Sequence, residues 1–157
     1  MIAGQTKRNL PPALLVDGTL GRLARWLRLA GYDVAFLRST DHSVVMREAR
    51  AAQRVIVTRD QALARRCALP VILIRGHEVS EQLGEIEREL GRAAPPHTRC
   101  AVCNTPLKAI SREAAQPRVP PYVWRTQQAF HECPNCRRVY WQGSHWQGIH
   151  RQLEDVD

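Results

Sequence analysis

Ala13-Leu14-Leu15-Val16-Asp17-Gly18 decides how the first half of this chain is read. Four apolar residues follow Pro11-Pro12 and end at an aspartate and a glycine, the pattern of a short buried strand. Leu20, Leu23, Ala24, Leu27 and Ala30 then recur at helical spacing, and Gly31 stops the helix. The cycle repeats downstream. Val34-Ala35-Phe36-Leu37, Val55-Ile56-Val57-Thr58 and Val71-Ile72-Leu73-Ile74 read as further strands. Asp41 stands where a cap would start a helix carrying Val44, Val45, Ala49 and Ala52, and Asp60 where one would start a helix through Ala64. A charged amphipathic helix from Glu81 to Leu90 closes the unit. Strands that are apolar throughout, rather than alternating, belong to a parallel sheet covered on both faces. The expected class is α/β, a parallel sheet flanked by helices.

The composition changes after Gly91 to Pro96, which reads as a linker. Cys100 and Cys103 form one Cys-x-x-Cys pair, Cys133 and Cys136 another, with 29 residues between them. Four thiolates make a closed tetrahedral set, the preference of structural zinc. The expected division is therefore residues 12–93 and 97–150. Thr105 to Tyr122 contains Pro106, Pro117, Pro120 and Pro121 and reads as an extended loop between the two knuckles. The interval also resembles rubredoxin, whose four cysteines hold iron. Asn104 and Arg137 follow the knuckles here instead of glycine, and the surroundings are basic, so zinc is favoured. His97 and His131 are expected bystanders, and Cys67 a small buried apolar residue.

Lys and Arg number 23 against 15 Asp and Glu, a net charge of +8 over 157 residues. Only Lys7 and Lys108 are lysine. The planar fork of arginine suits phosphate, so the excess points toward nucleic acid; a GC-rich genome would also replace Lys by Arg without any function. Two knuckles plus one odd cysteine fit a reducing compartment better than a disulfide framework. Residues 1–12 carry no apolar signal-peptide core, and no apolar run approaches the ~20 residues of a membrane helix. A soluble, cytoplasmic protein with no membrane partner is expected.

Asp17, Asp41 and Asp60 each follow a strand, and ligands of open parallel sheets bind outside the carboxyl ends of the strands. Three converging carboxylates would repel unless a cation held them, and hard oxygen donors suit Mg2+ or Mn2+. Asp is also a favoured helix N-cap, which explains Asp41 and Asp60 equally well. Asp17, at the end of a buried strand, is harder to explain that way. Gly18 and Gly21 would let a ligand approach the backbone. Asp33 and Glu48 are candidate outer members of this acidic set, with a solvated position favoured for each. Arg22, Arg25 and Arg28 share a face of the first helix, where they meet either RNA phosphates or water. Arg59, beside Asp60, suits a phosphate or a carboxylate. Near the cysteines, Arg137 and Arg138 lie among Trp124, Tyr140, Trp141 and Trp146. Basic charge beside aromatic faces grips single-stranded RNA, although a small module also buries aromatics to stay folded. His145 either orients substrate or packs the two units together.

Several segments taken together resemble a known family. Leu15 through Asp33, Thr58-Arg59-Asp60, Arg99 through Cys103, Val119-Pro120-Pro121, Cys133 through Cys136 and Val139 through His145 are similar, in order, to the Mut-seven C-terminal RNase domain family. The resemblance implies a PIN-like nuclease unit followed by a zinc ribbon. It implies a metal-dependent ribonuclease, expected to be an endonuclease. Its acidic positions fall on Asp17, Asp41 and Asp60, the expected catalytic residues and Mg2+ or Mn2+ ligands, with Cys100, Cys103, Cys133 and Cys136 on Zn2+. Arg22, Arg25, Arg59, Arg137, Arg138 and His145 are the expected RNA contacts, and RNA (tRNA or another structured RNA included) the expected partner. The alternative is a non-catalytic RNA-binding zinc-ribbon protein acting in RNA processing or on ribosomes. A third reading is an iron electron carrier.

Overall fold

β1 (Leu14–Val16), β2 (Val34–Phe36), β3 (Val55–Thr58) and β4 (Val71–Leu73) form one sheet in the computed structural model, which describes residues 10–93, 98–144, 147, 148 and 151. All pairs are parallel, in the order β2-β1-β3-β4. Four helices alternate with them: α1 (Gly21–Leu29), α2 (His42–Ala52), α3 (Gln61–Arg66) and α4 (Val79–Leu90). Side chains of a strand alternate between its faces, and here both faces are apolar. Leu14, Val16 and Val57 pack with Leu23, Leu27, Leu83 and Ile86 under α1 and α4. Leu15 and Ile56 pack with Val45, Ala49 and Leu63 under α2 and α3. Covering both faces explains the unbroken apolar runs, and each such buried Leu or Ile stabilises by roughly 1.5–3 kcal/mol. The class read from the sequence is the one observed.

The chain passes from β1 to β2 on one side and then crosses to β3 on the other. The strand order therefore reverses between β1 and β3, the place where open α/β sheets leave a crevice at their carboxyl ends. Asp17 and Asp60 follow those two strands.

The second sheet is antiparallel, in the order β5 (Lys108–Ile110), β6 (Phe130–Glu132) and β7 (Val139–Tyr140). The stretch expected as an extended loop is instead largely ordered structure. It contains β5, helix α5 (Arg112–Ala115), a 3-10 turn (Gln116–Arg118) and the start of helix α6 (Pro121–Thr126). Ser111 Oγ caps α5 by accepting from Ala114 N at 3.1 Å. Pro117 and Pro121 sit in the first turn of their helical segments, where a missing N–H costs nothing. Ala115, Val119 and Phe130 form a small core, with Trp124 and Trp141 packed against it.

The cysteine-bearing module docks on β2, the edge strand. Val34 N donates to Asn104 Oδ1 at 3.0 Å, and Asn104 Nδ2 donates to Asp33 Oδ1 at 2.8 Å. Arg28, expected on a solvent or RNA-facing stripe, is buried instead. Its Nη1 donates to the carbonyls of Ala101 (3.0 Å) and Val102 (2.9 Å), and its Nε to Val34 O. Its helical neighbours put it at the seam, where backbone carbonyls take up its fork. No helix among the described residues is long and apolar enough to cross a membrane.

Candidate functional site

The two knuckles have the same construction. Asn104 and Arg137, each directly after the second cysteine, both have φ of 67°. That left-handed position normally favours glycine, and Asn tolerates it well. The turn lets Asn104 N reach Cys100 O and Arg137 N reach Cys133 O, both at 2.9 Å. Both turns bring four sulfurs together, all within 4.8 Å of one another. Cys103 Sγ lies 3.4 Å from Cys133 Sγ, and Cys100 Sγ 3.6 Å from Cys136 Sγ. Tetrahedral bonds of ~2.3 Å put thiolates about 3.8 Å apart, so the set fits one ion.

Electrostatics agree. Hydrogen bonds from the Thr105 hydroxyl and backbone pull the Cys103 thiol down to about 5. Cys136 goes the other way, up to about 11: the Arg138 backbone favours its thiolate, but burial and the neighbouring Cys100 and Cys133 outweigh it. Crowded thiolates repel, and a cation removes the conflict. The four cysteines can therefore hold a structural metal such as zinc. Tyr140 braces the site, its hydroxyl 3.0 Å from Cys100 Sγ and accepting from Ala101 N at 3.2 Å.

At the carboxyl end of the parallel sheet, Asp17 is 1% exposed. Its Oδ1 accepts from Thr19 N (3.0 Å) and Thr19 Oγ1 (2.5 Å), and its Oδ2 from Thr58 Oγ1 (2.5 Å). The same Thr58 hydroxyl accepts from Asp60 N at 3.0 Å. One hydroxyl thus links the ends of β1 and β3. Asp60 Oδ1 caps α3, accepting from Ala62 N (2.8 Å) and Leu63 N (3.0 Å), while Oδ2 meets His42 Nε2 at 2.7 Å. The His42 hydrogen bond, then the backbone N–H of Leu63 and Ala62, hold the Asp60 carboxyl below the usual carboxylate range.

Asp41 is engaged with its own helix start. Its Oδ1 caps α2 through Val44 N (3.1 Å) and accepts from Ser43 Oγ (2.6 Å), which together hold its carboxyl low. Its neighbour His42 makes the contact with Asp60 instead. Among the described residues, the four cysteines are the one group of three or more His, Cys, Asp or Glu gathered closely enough to hold an ion. Gly18 and Gly21 leave room for this chain rather than a ligand. A Cβ on Gly18 would lie 2.4 Å from Arg38 O, and one on Gly21 3.0 Å from the Phe36 ring. His42, Thr19 and Thr58 are the site residues that the sequence did not single out. The only local signal for His42 is its place directly after a cap.

The profile of the Mut7-C RNAse domain matches residues 12–153. This chain belongs to the Mut7-C family. No curated protein and no solved structure matches it. Membership points to a nuclease-like function, and the domain's description points to RNA as the substrate.

The arginines expected to contact RNA in this Mut7-C chain fall into three places. Arg22, Arg25 and Arg138 line one cleft between α1 and the second sheet. Arg59 lies beside the candidate active site, its Nη2 3.3 Å from His77 Nδ1. Arg137 is exposed and pairs with Glu132 at 2.8 Å. His145 lies outside the described residues, as do His97 and Trp146.

Proposed function

We propose that this Mut7-C chain is a ribonuclease that hydrolyses RNA phosphodiester bonds with a divalent cation at the carboxyl ends of β1 and β3. The observation that supports this most is the placement at the strand-order reversal: the Asp17 carboxylate and the Asp60 backbone meet one hydroxyl, that of Thr58. The donors fit Mg2+ or Mn2+ in kind, because such ions take hard oxygens and are often held by one or two carboxylates plus substrate phosphate. The Asp17 and Asp60 carboxylates would hold the ion. When bound, the ion lowers the pKa of a water and offsets charge developing on phosphate.

The chain's own groups supply the rest. Near-complete burial of Asp17 lowers the local dielectric and strengthens its attraction for a cation. Asp60 orients the His42 ring through its contact with Nε2 at 2.7 Å, which places an imidazole beside the Asp60 carboxylate as a candidate proton carrier. Asp41 holds the start of α2, and so the position of His42. We also read the chain as a PIN-like unit over 12–93 and a ribbon over 97–150 whose ion is Zn2+. Two metal-type knuckles plus one odd cysteine, rather than a disulfide framework, suit a reducing compartment such as the cytoplasm.

Incubation of mixed RNA and DNA with Mg2+ or Mn2+ tests the proposal. Wild type should cleave RNA only with the ion present, and Asp17→Asn should abolish cleavage while remaining folded. Unchanged cleavage by that variant removes the catalytic role. The satisfied hydrogen bonds of Asp17 and the capping by Asp41 and Asp60 favour a second reading, a non-catalytic RNA-binding protein. Salt-sensitive RNA binding with no cleavage under any divalent ion decides for it.

A further inference from the structure

We infer that the cleft between α1 and the ribbon is a binding site for single-stranded RNA, holding a few nucleotides by phosphate contacts and base stacking. The inference takes its ligand class from the RNA-cleaving reading above. The cleft has a volume of about 580 Å³. Arg22, Arg25 and Trp26 line one wall, and Arg138, Tyr140 and Trp141 the other.

Helix geometry makes the first wall a stripe. Arg22, Arg25, Trp26 and Leu29 fall at i, i+3, i+4 and i+7, which share a face. Leu23, Ala24 and Leu27 bury the opposite face against the sheet. The second wall is β7 and the residues beside it, held against α1 because Arg28 binds the first knuckle. Neither unit makes the cleft alone.

Its chemistry selects a nucleic acid. Among the described residues, no carboxylate lines it. Among those same residues, the guanidinium groups of Arg22, Arg25 and Arg138 make no ion pair or hydrogen bond to the chain. Cations left facing one cleft repel, and bound phosphates would offset that cost. Tyr140 and the two Trp add aromatic surface between the charges. Alternating charge and ring is the arrangement that takes phosphates and unpaired bases together. A duplex keeps its bases stacked inside and would use only the charges.

Chain connectivity relates the cleft to the candidate active site. α1 starts four residues after Asp17, so a strand lying along its exposed stripe has one end near the carboxylates. Nine residues of helix span about 13 Å, room for roughly two to four nucleotides at ~3.4 Å or more each.

The test is fluorescence anisotropy of a labelled 12-nucleotide oligouridine, using the full zinc-loaded chain without added Mg2+ or Mn2+. Arg22→Ala/Arg25→Ala/Arg138→Ala should bind at least about tenfold more weakly, with a salt slope shallower by about 0.7 for each phosphate no longer neutralised. Duplex RNA of equal length should bind more weakly than the single strand. Ultraviolet cross-linking of 5-iodouridine RNA to wild type, which needs no variant, should mark Trp26, Tyr140 or Trp141. Circular dichroism and zinc content of the variant confirm that it is folded. Unchanged affinity in the folded triple variant, equal duplex binding, cross-links elsewhere, or no RNA binding by wild type (leaving an acidic protein as the partner) each overturns the inference. The cleft and the nuclease can fail separately. Arginine-dependent binding without cleavage under any divalent ion keeps the cleft and ends the nuclease reading. Wild-type kcat and KM in the triple variant keep the nuclease and end the cleft.

Discussion

Gly18 shows how closely the loops at the sheet's carboxyl end are fitted. Its N donates to Ser39 O at 3.1 Å, and its missing side chain is filled by the Arg38 carbonyl. A methyl group there must push apart the β1–α1 and β2–α2 loops, the two loops that carry Asp17 and Asp41. Gly18→Ala should lose about 1–3 kcal/mol of stability, the usual cost of overpacking, read from the denaturant midpoint at unchanged slope. An unaffected midpoint means the loops are not locked. The residues of this site were unequally legible. Asp17 and Asp60 stand out locally because each follows an apolar run. His42 does not, because its 2.7 Å contact with Asp60 joins the starts of two helices 18 residues apart. The two glycines were legible as close approaches, but the approaching group is a carbonyl or ring of the same chain.

At the scale of elements, patterns confined to one segment were read correctly and patterns of partnership were not. Four continuous apolar runs and two aspartate caps give the strands and helices almost residue by residue. The proline-rich middle of the ribbon misled because Pro117 and Pro121 begin helical turns rather than breaking them. The seam between units was not legible at all. It depends on Asn104 in a left-handed turn reaching Asp33 across 71 positions. Burial raises the Asp33 pKa, but hydrogen bonds from Arg54 and Asn104 outweigh it and leave the carboxyl below its ordinary value. A depressed folded-state pKa stabilises fully above the unfolded value of about 3.9, and that gain disappears as pH falls through the folded value. The gap between the thermal midpoints of wild type and Asp33→Asn should therefore be full at pH 6 and close progressively as pH falls from about 4 through the lower folded-state value. A gap independent of pH would show that the Asp33 charge does not hold the seam.

The whole molecule depends on both units at once. The knuckle carbonyls that receive Arg28 are set by the cysteine turns, and those turns gather the four sulfurs that can hold a metal. Structural zinc sites contribute about 10–16 kcal/mol of binding free energy in small domains, so metal removal should unfold the ribbon. It should also strip Arg28 of its partners and lower the thermal midpoint of the N-terminal sheet. Two-dimensional NMR before and after chelation, with metal content measured, checks both effects; Cys133→Ser should reproduce them. A ribbon that persists after verified metal removal contradicts a structural ion. The measurement that reaches the central claim most directly is single-turnover cleavage of a labelled RNA in Mn2+ by wild type, Asp17→Asn and Asp60→Asn at equal zinc content. The account predicts that both variants fall by about a hundredfold or more. Wild-type rates in either folded variant would contradict it.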